Sequence, residues 1–276
     1  MPHALVMRAP GTNCDSELCR AFELAGATVS LVHIDRLLRE PGLLEETDIF
    51  AVAGGFSYGD DVASGRIVAM RMRARLYPAL REAARRGGLM FGVCNGFQIF
   101  AQAGLLPGPD GAGGAEWPDV APPAQSVALT FNAGGRFIDG WYGVRAVPES
   151  VCVWTRGLAE AYPASIAADV LKLPIAHGEG RFVAAPEVMS ALRRHGQIAL
   201  EAMPGENANG SEGGVVGICD PSGRIFGLMP HPERYLDWNR HPYWTRLDRS
   251  VLALPTPGML MFRNAVAAVQ GAAAGR

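Results

Sequence analysis

The stretch Leu89-Met90-Phe91-Gly92-Val93-Cys94-Asn95-Gly96-Phe97-Gln98, continuing as IFAQAGLL to residue 106, decides the fold. LMFGV (89–93) is a short apolar run of strand character, and NGFQIFAQAGLL (95–106) repeats apolar residues at helical spacing. Cys94 stands at the junction, with a glycine two residues away on each side. The same alternation runs upstream. ALVMRAP (4–10) is an apolar run stopped at Pro10-Gly11, and Leu18, Phe22 and Ala25 recur helically between Asp15 and Gly26, with Asp15 or Ser16 as a cap. TVSLVHI (28–34) and DIFAVAGG (48–55) read as strands, and Arg66 to Arg86 as one long helix with a basic face. Repeated strand–helix units build a parallel sheet covered on both faces by helices. The class is therefore α/β, an open, mostly parallel sheet flanked by helices.

In such sheets reactive groups gather beyond the carboxyl ends of the strands, where both Gly54-Gly55 and Cys94 fall. Downstream the signals become short strands: SVALTFNA, WYGVRAV, VVGICD and RIFGLM, the last two joined by a Pro221-Ser222-Gly223 hairpin turn. These add short antiparallel strands to the second half of the fold, which closes with a helix over about 258–270. PGPDGAGGAEWPDVAPPAQ (107–125) is rich in glycine and proline and reads as a surface loop or insertion. No internal repeat or domain break interrupts the chain.

With 276 residues, 49% hydrophobic and 19% charged, the chain can bury a sizeable core, and its formal net charge of −2 gives no reason to expect nucleic acid or an anionic membrane as partner. Lys172 is the only lysine. The N-terminal residues lack the pattern of a secretory signal, and no apolar run approaches the roughly 18 residues of a spanning helix. Cys14, Cys19, Cys94, Cys152 and Cys219 are odd in number and scattered, without zinc-ligand spacing. A reducing cytoplasm is the expected location, and an important cysteine would act as a thiol.

A thiol turns nucleophilic where its thiolate is stabilised, as at a helix N-terminus. The G-x-C-x-G pattern is the cysteine form of the nucleophile elbow, whose sharp turn needs glycines. The bland alternative is a buried inert cysteine with glycine neighbours in a glycine-rich chain. A nucleophile also needs a base and a group that orients it. His231 in GLMPHPERY offers one, held between Pro230 and Pro232 with Glu233 two residues on; His177 in PIAHGEGRF, with Glu179, offers another. Spacing does not choose between them. AGGFSYGDD (53–61) offers backbone donors for an oxyanion, or merely a tight loop. The phosphate-loop pattern G-x-x-x-x-G-K-[ST] is absent from the sequence.

Taken together, GTNCDSE (11–17), GGFSYGDD (54–61), GVCNGFQ (92–98), PIAHGEGRF (174–182), NANGS (207–211) and MPHPER (229–234) resemble the class I, or triad, glutamine amidotransferases. More closely, they resemble the glutaminase components of phosphoribosylformylglycinamidine synthase, in family order and over most of the chain. The resemblance implies a flavodoxin-like single amidotransferase domain over residues 1–276, with insertions at 107–125 and 236–258. NANGS stands where N-P-N-G-S is more usual, and GMLMFRNAVAAV near the C-terminus looks like the glutaminase domain of fused, single-chain synthases.

By the same resemblance Cys94 is the nucleophile, His231 the base and then acid, and Glu233 the residue that orients it. The N–H groups of Gly55 and Asn95 form the oxyanion hole, Gln98 helps to hold substrate, and His177 and Glu179 lie near the site. The substrate would be L-glutamine, cleaved through a thioester to glutamate and ammonia. The ammonia would pass to a synthase subunit that converts formylglycinamide ribonucleotide to formylglycinamidine ribonucleotide in purine biosynthesis, alone or with a small accessory subunit. ATP and Mg would bind the synthase, with no cofactor or metal on this chain. The rival readings are another class I amidotransferase, a free-standing glutamine or γ-glutamyl hydrolase, an idle scaffold, and an oxidation-sensing cysteine protein.

Overall fold

The computed structural model of the protein describes residues 1–109 and 116–274. In chain order the elements are β1 (His3–Arg8), α1 (Asp15–Leu24), β2 (Thr28–His33), α2 (Ile34–Arg39), β3 (Ile49–Val52), α3 (Arg66–Arg75), α4 (Tyr77–Arg85), β4 (Leu89–Val93) and α5 (Asn95–Ala103). The second half adds β5 (Val127–Thr130), β6 (Ile138–Ala146), α6 (Ala164–Val170), β7 (Lys172–His177), β8 (Arg181–Ala184), α7 (Pro186–Arg194), β9 (Ile198–Ala202), β10 (Val215–Cys219), β11 (Ile225–Leu228) and α8 (Pro257–Ala274).

Nine strands form one sheet in the order β2-β1-β3-β4-β11-β10-β9-β6-β7, and β5 pairs with β8 in a separate ribbon. The first five strands of that order are parallel, the remaining pairings antiparallel. This is the expected α/β class, with the antiparallel strands in the second half.

β3 and β4 are buried along their whole length, as strands covered on both faces must be. Phe91 of β4 packs on one face against Trp154 and against Phe262 of α8, which in turn meets Phe22 of α1 edge-on at 5.1 Å. Phe50 of β3 stacks on the other face against Phe100 of α5.

β6 divides its length between two neighbours. Ile138–Gly143 pair with β7, and Val144–Ala146 pair with β9. That division turns the antiparallel half around the carboxyl end of the parallel half: the His231 N–H, just past β11, donates to Pro174 O of β7 at 2.8 Å.

Several expectations about elements need correction. The long helix over 66–86 breaks at Leu76 into α3 and α4, because Pro78 has no N–H to give to the preceding turn. The helix after Cys94 ends at Ala103, with Gly104 left-handed at φ 75. α1 is entered through Cys14, not capped by the side chain of Asp15 or Ser16. β7, β8, β9, α2, α6 and α7 gave no recognised sequence signal. Residues 110–115 of the expected 107–125 insertion lie outside the described residues. Its flanks are pinned to the body by bonds from Tyr77 Oη to Pro118 O and from Arg73 Nη1 to Pro123 O.

Candidate active site

Cys94 sits at the sharp turn between β4 and α5 with φ 53 and ψ −108, a conformation that costs a non-glycine residue energy and persists only when its surroundings enforce it. The flanking glycines are part of that enforcement. A Cβ on Gly92 would come within 2.6 Å of Gly96 O, and one on Gly96 would overlap the backbone oxygen of Val52 in β3. Chance glycines would not show such contacts, and an inert core cysteine would not need them. Cys94 N donates to Leu228 O at 2.8 Å, tying the turn to β11. Cys94 O accepts from Phe97 and Gln98 N–H, whereas Asn95 N–H is the first of the four that a helix leaves without a partner of its own.

Beyond β3, Gly55 has φ 140, and a Cβ there would lie 2.7 Å from both Asn13 N and Gly11 O. The 54–58 loop is stitched to the end of β1: Phe56 N donates to Gly11 O and Asn13 N to Gly54 O. Tyr58, Asp60 and Val62 also have positive φ, the last strained residues before α3. Arg71 holds this loop, donating to Tyr58 Oη and to Asp35 at 2.5 Å.

His231 and Glu233 follow β11. Their side chains are buried, and His231 Nδ1 lies 2.6 Å from Glu233 Oε1. Burial alone would lower the pKa of His231, but the Glu233 carboxylate, followed by the Cys94 and Cys14 thiols, holds it well above the usual imidazole value. His231 Nε2 has no protein partner at hydrogen-bond distance among the described residues, so Cys94 acts on it as a nearby group, not as a closed bond. A cavity of about 120 Å³ opens between Cys94, His231, Gly55, Gln98, His177 and Glu179. Phe56 and Phe137 form its exposed rim, their ring centroids 6.5 Å apart.

All the residues singled out in the sequence therefore meet in one place, but not in equivalent ways. Only one of the two His–Glu pairs is a pair. His177 Nδ1 faces Asn132 Oδ1 at 3.1 Å, not Glu179. Its pKa is pushed down to about 4, first by burial and then by neighbouring His231. Gln98 is 5% exposed and already engaged: its Nε2 donates to Glu179 O at 2.6 Å and its Oε1 accepts from Asn95 Nδ2 at 2.9 Å. It braces the 178–180 turn against α5. Glu179 and Asp60 line the cavity without a cationic partner among the described residues. The Asp60 carboxyl is raised by burial and by the Glu179 charge, against a hydrogen bond from Ser64.

Two neighbours were missed by sequence reasoning. Asn132 left no signal, since its partner is 45 residues away. Cys14 lay within GTNCDSE but was given no role. It is buried beside His231, and Arg234 Nη2 donates to its sulfur at 3.0 Å. The potential ligand atoms of Cys14, His231 and Glu233 lie within 4.8 Å of one another. They fit a metal poorly, because the imidazole and carboxylate already bond each other and the guanidinium already occupies the sulfur.

Comparison with known proteins identifies the family. The chain is 39% identical to phosphoribosylformylglycinamidine synthase subunit PurQ of Dehalococcoides mccartyi, over 95% of each chain. It is 36% identical to the subunit of that name in Methanococcus maripaludis, over 86% of this chain and 83% of the relative. A chain in the PurLQS structure from Thermotoga maritima superposes with a TM-score of 0.68 at 28% identity, covering 96% of this chain and 98% of that one. Residues 1–269 match the sequence model of the CobB/CobQ-like glutamine amidotransferase domain. A cysteine at a strained strand–helix turn, facing a buried His–Glu pair across a small cavity, thus stands in a chain that belongs to the CobB/CobQ-like glutamine amidotransferase family.

Proposed function

We propose that the chain is the glutaminase subunit of phosphoribosylformylglycinamidine synthase, with Cys94, His231 and Glu233 as its triad. The observation that carries the reading is the buried 2.6 Å contact between His231 and Glu233 beside the strained Cys94 turn. Cys94 gives its thiol proton to His231, its sulfur attacks the side-chain carbonyl carbon of L-glutamine, and the N–H groups of Gly55 and Asn95 receive the oxyanion. Imidazolium His231 gives its proton to the amide nitrogen, the C–N bond breaks, and ammonia leaves a γ-glutamyl thioester on Cys94. His231 then takes a proton from water as it attacks the thioester, releasing glutamate. Glu233 holds the ring in the orientation that both steps require. Glu179 and Asp60 supply negative charge that suits the substrate α-ammonium, and Gln98 fixes the turn that carries Glu179.

The ammonia is used by a synthase subunit, which carries ATP and Mg and amidates formylglycinamide ribonucleotide, alone or with a small accessory subunit. No helix among the described residues is long and apolar enough to cross a membrane, which suits our placement of the enzyme in the cytoplasm. We read residues 1–276 as one domain bearing insertions at 107–125 and 236–258.

Glutamine hydrolysis measured with and without the synthase and its nucleotide substrate tests the reading, and strong stimulation in the complex is expected. Cys94→Ala should abolish glutamine-dependent amidation while ammonia-dependent amidation by the complex survives. Robust turnover without the partner would favour a free-standing hydrolase instead.

A further inference from the structure

His177 lines the cavity beside Cys94, is 3% exposed, and its Nε2 has no protein hydrogen-bond partner among the described residues. A buried polar atom so placed marks a position where a ligand atom completes the bonding. Its chemical state follows from its neighbours. Asn132 Nδ2 donates to Arg136 O and His177 O, both at 2.8 Å, so Asn132 Oδ1 is the acceptor end of that amide. That oxygen also accepts Gly180 N–H at 3.1 Å. His177 Nδ1 must therefore carry the proton, and Nε2 presents a bare lone pair. The packing enforces this ring position, because any Cβ on Gly180 would overlap the imidazole.

His177 also lines a second, much smaller cavity of about 20 Å³, walled by Ile175, Val216, Met229 and Pro230 and reaching Glu206 and Asn207. That volume suits one molecule the size of water or ammonia. Its far end adjoins the NANGS segment, which Asn209 ties to the His177 turn by donating to Gly180 O at 2.9 Å.

The geometry points to His177 as the acceptor for the leaving nitrogen, holding it at Nε2 as the C–N bond breaks and passing neutral ammonia through the apolar cavity toward the 206–209 surface. This rests on the glutaminase reading above and deepens it. The acceptor bond strengthens when His231 protonates the amide nitrogen, because the donor then bears positive charge, so the bond favours the transition state over bound substrate. Ammonia beside an imidazolium would be protonated and lose its nucleophilicity. A neutral ring whose proton is committed to Asn132 accepts but does not donate, and burial keeps His177 neutral.

The test uses the full complex with the synthase, supplied with ¹⁵N-amide glutamine in a background of unlabelled ammonium. His177→Leu removes the acceptor; kcat for glutamine should fall about tenfold or more while KM changes little, and the labelled fraction of the product should drop. His177→Gln, whose amide oxygen can take the Nε2 place, should recover most of both. Ala208→Trp, at the exposed outer end of the cavity, should leave glutamine hydrolysis intact and lower the labelled fraction. Wild-type kcat and labelling in His177→Leu would overturn the assignment, as would a Gln variant as impaired as the Leu variant. Full labelling in Ala208→Trp would overturn the route. Glutamine hydrolysis surviving in Cys94→Ala would instead refute the glutaminase reading itself, whatever His177 does.

Discussion

Glu233→Gln is the sharpest probe of the site, because it changes a charge and leaves the shape. The Glu233 side chain is fully buried and its Oε1 lies 2.6 Å from His231 Nδ1. Two unit charges about 4 Å apart at an effective dielectric near 20 attract by about 4 kcal/mol, which sets the ceiling. The glutamine oxygen still accepts from Nδ1–H, so what is lost is the charge-assisted part, about 2–3 kcal/mol. At 1.36 kcal/mol per tenfold, kcat should fall roughly 30- to 160-fold. The measurement is glutamine-dependent kcat in the synthase complex, with ammonia-dependent turnover as the control for intact assembly.

Stability supplies an independent reading of the same contact. The pKa of His231 is raised in the folded state, so the linked stability is fully present below its unfolded value of about 6.5 and is lost as pH rises through the raised value. The variant lacks most of this contribution. The difference in melting temperature between wild type and variant should therefore be widest near pH 6 and shrink toward alkaline pH. A kcat within threefold of wild type, or a stability gap that grows with pH, would show that Glu233 does not hold His231 in its charged form.

Gly54→Ala should damage catalysis more than folding. The added Cβ would lie 2.9 Å from His231 Cε1 and 3.3 Å from Cys94 Cβ, displacing the ring, so kcat should fall about 10- to 100-fold while unfolding measurements lose only about 1–2 kcal/mol. Asp220→Ala should do the reverse. The buried Asp220 carboxylate accepts N–H bonds from Ser222, Arg224 and Ile225 in the β10–β11 turn, and stranding these donors should cost about 2–4 kcal/mol in denaturant melts, with the triad geometry unchanged. Trp154→Ala empties the centre of the Phe22–Phe91–Phe226 cluster and breaks the Nε1 bond to Arg224 O, for a loss of about 3–5 kcal/mol by the same assay.

The centre of the parallel half was legible because β3 and β4 are buried on both faces and read as continuous apolar runs, IFAV and LMFGV. The edge strand β2, exposed or partly exposed at all but one residue, was legible through its β-branched residues instead. The antiparallel half was less so. β7 carries Pro174 and the partly exposed Lys172, and β8 is four residues with partly exposed ends. At the site, Cys94 and His231 were visible through local chemistry: glycines that a tight turn requires, and prolines that fix a loop. The choice between two H-x-E pairs was not, since it depends on Asn132 and on the turn of β7 toward His231, both long-range contacts. The break at Leu76 was legible in principle, since Pro78 stands in the sequence, but the basic periodicity on either side masked it.

The two histidines show how one pocket keeps opposite proton states a short distance apart. Each has a glutamate two residues on, each is buried, and each has an oxygen partner at Nδ1. The difference is the partner. A carboxylate at His231 outweighs the cost of burying a cation, whereas a neutral amide oxygen at His177 cannot, and the positive ring of the first then repels a proton from the second. In the proposed reaction His231 gives a proton to the departing nitrogen, and His177 accepts a hydrogen bond from that nitrogen without giving one. Asn132 supplies that asymmetry with a single atom: an aspartate in its place would turn the second histidine toward the charged form, and the pocket would hold two proton donors and no acceptor.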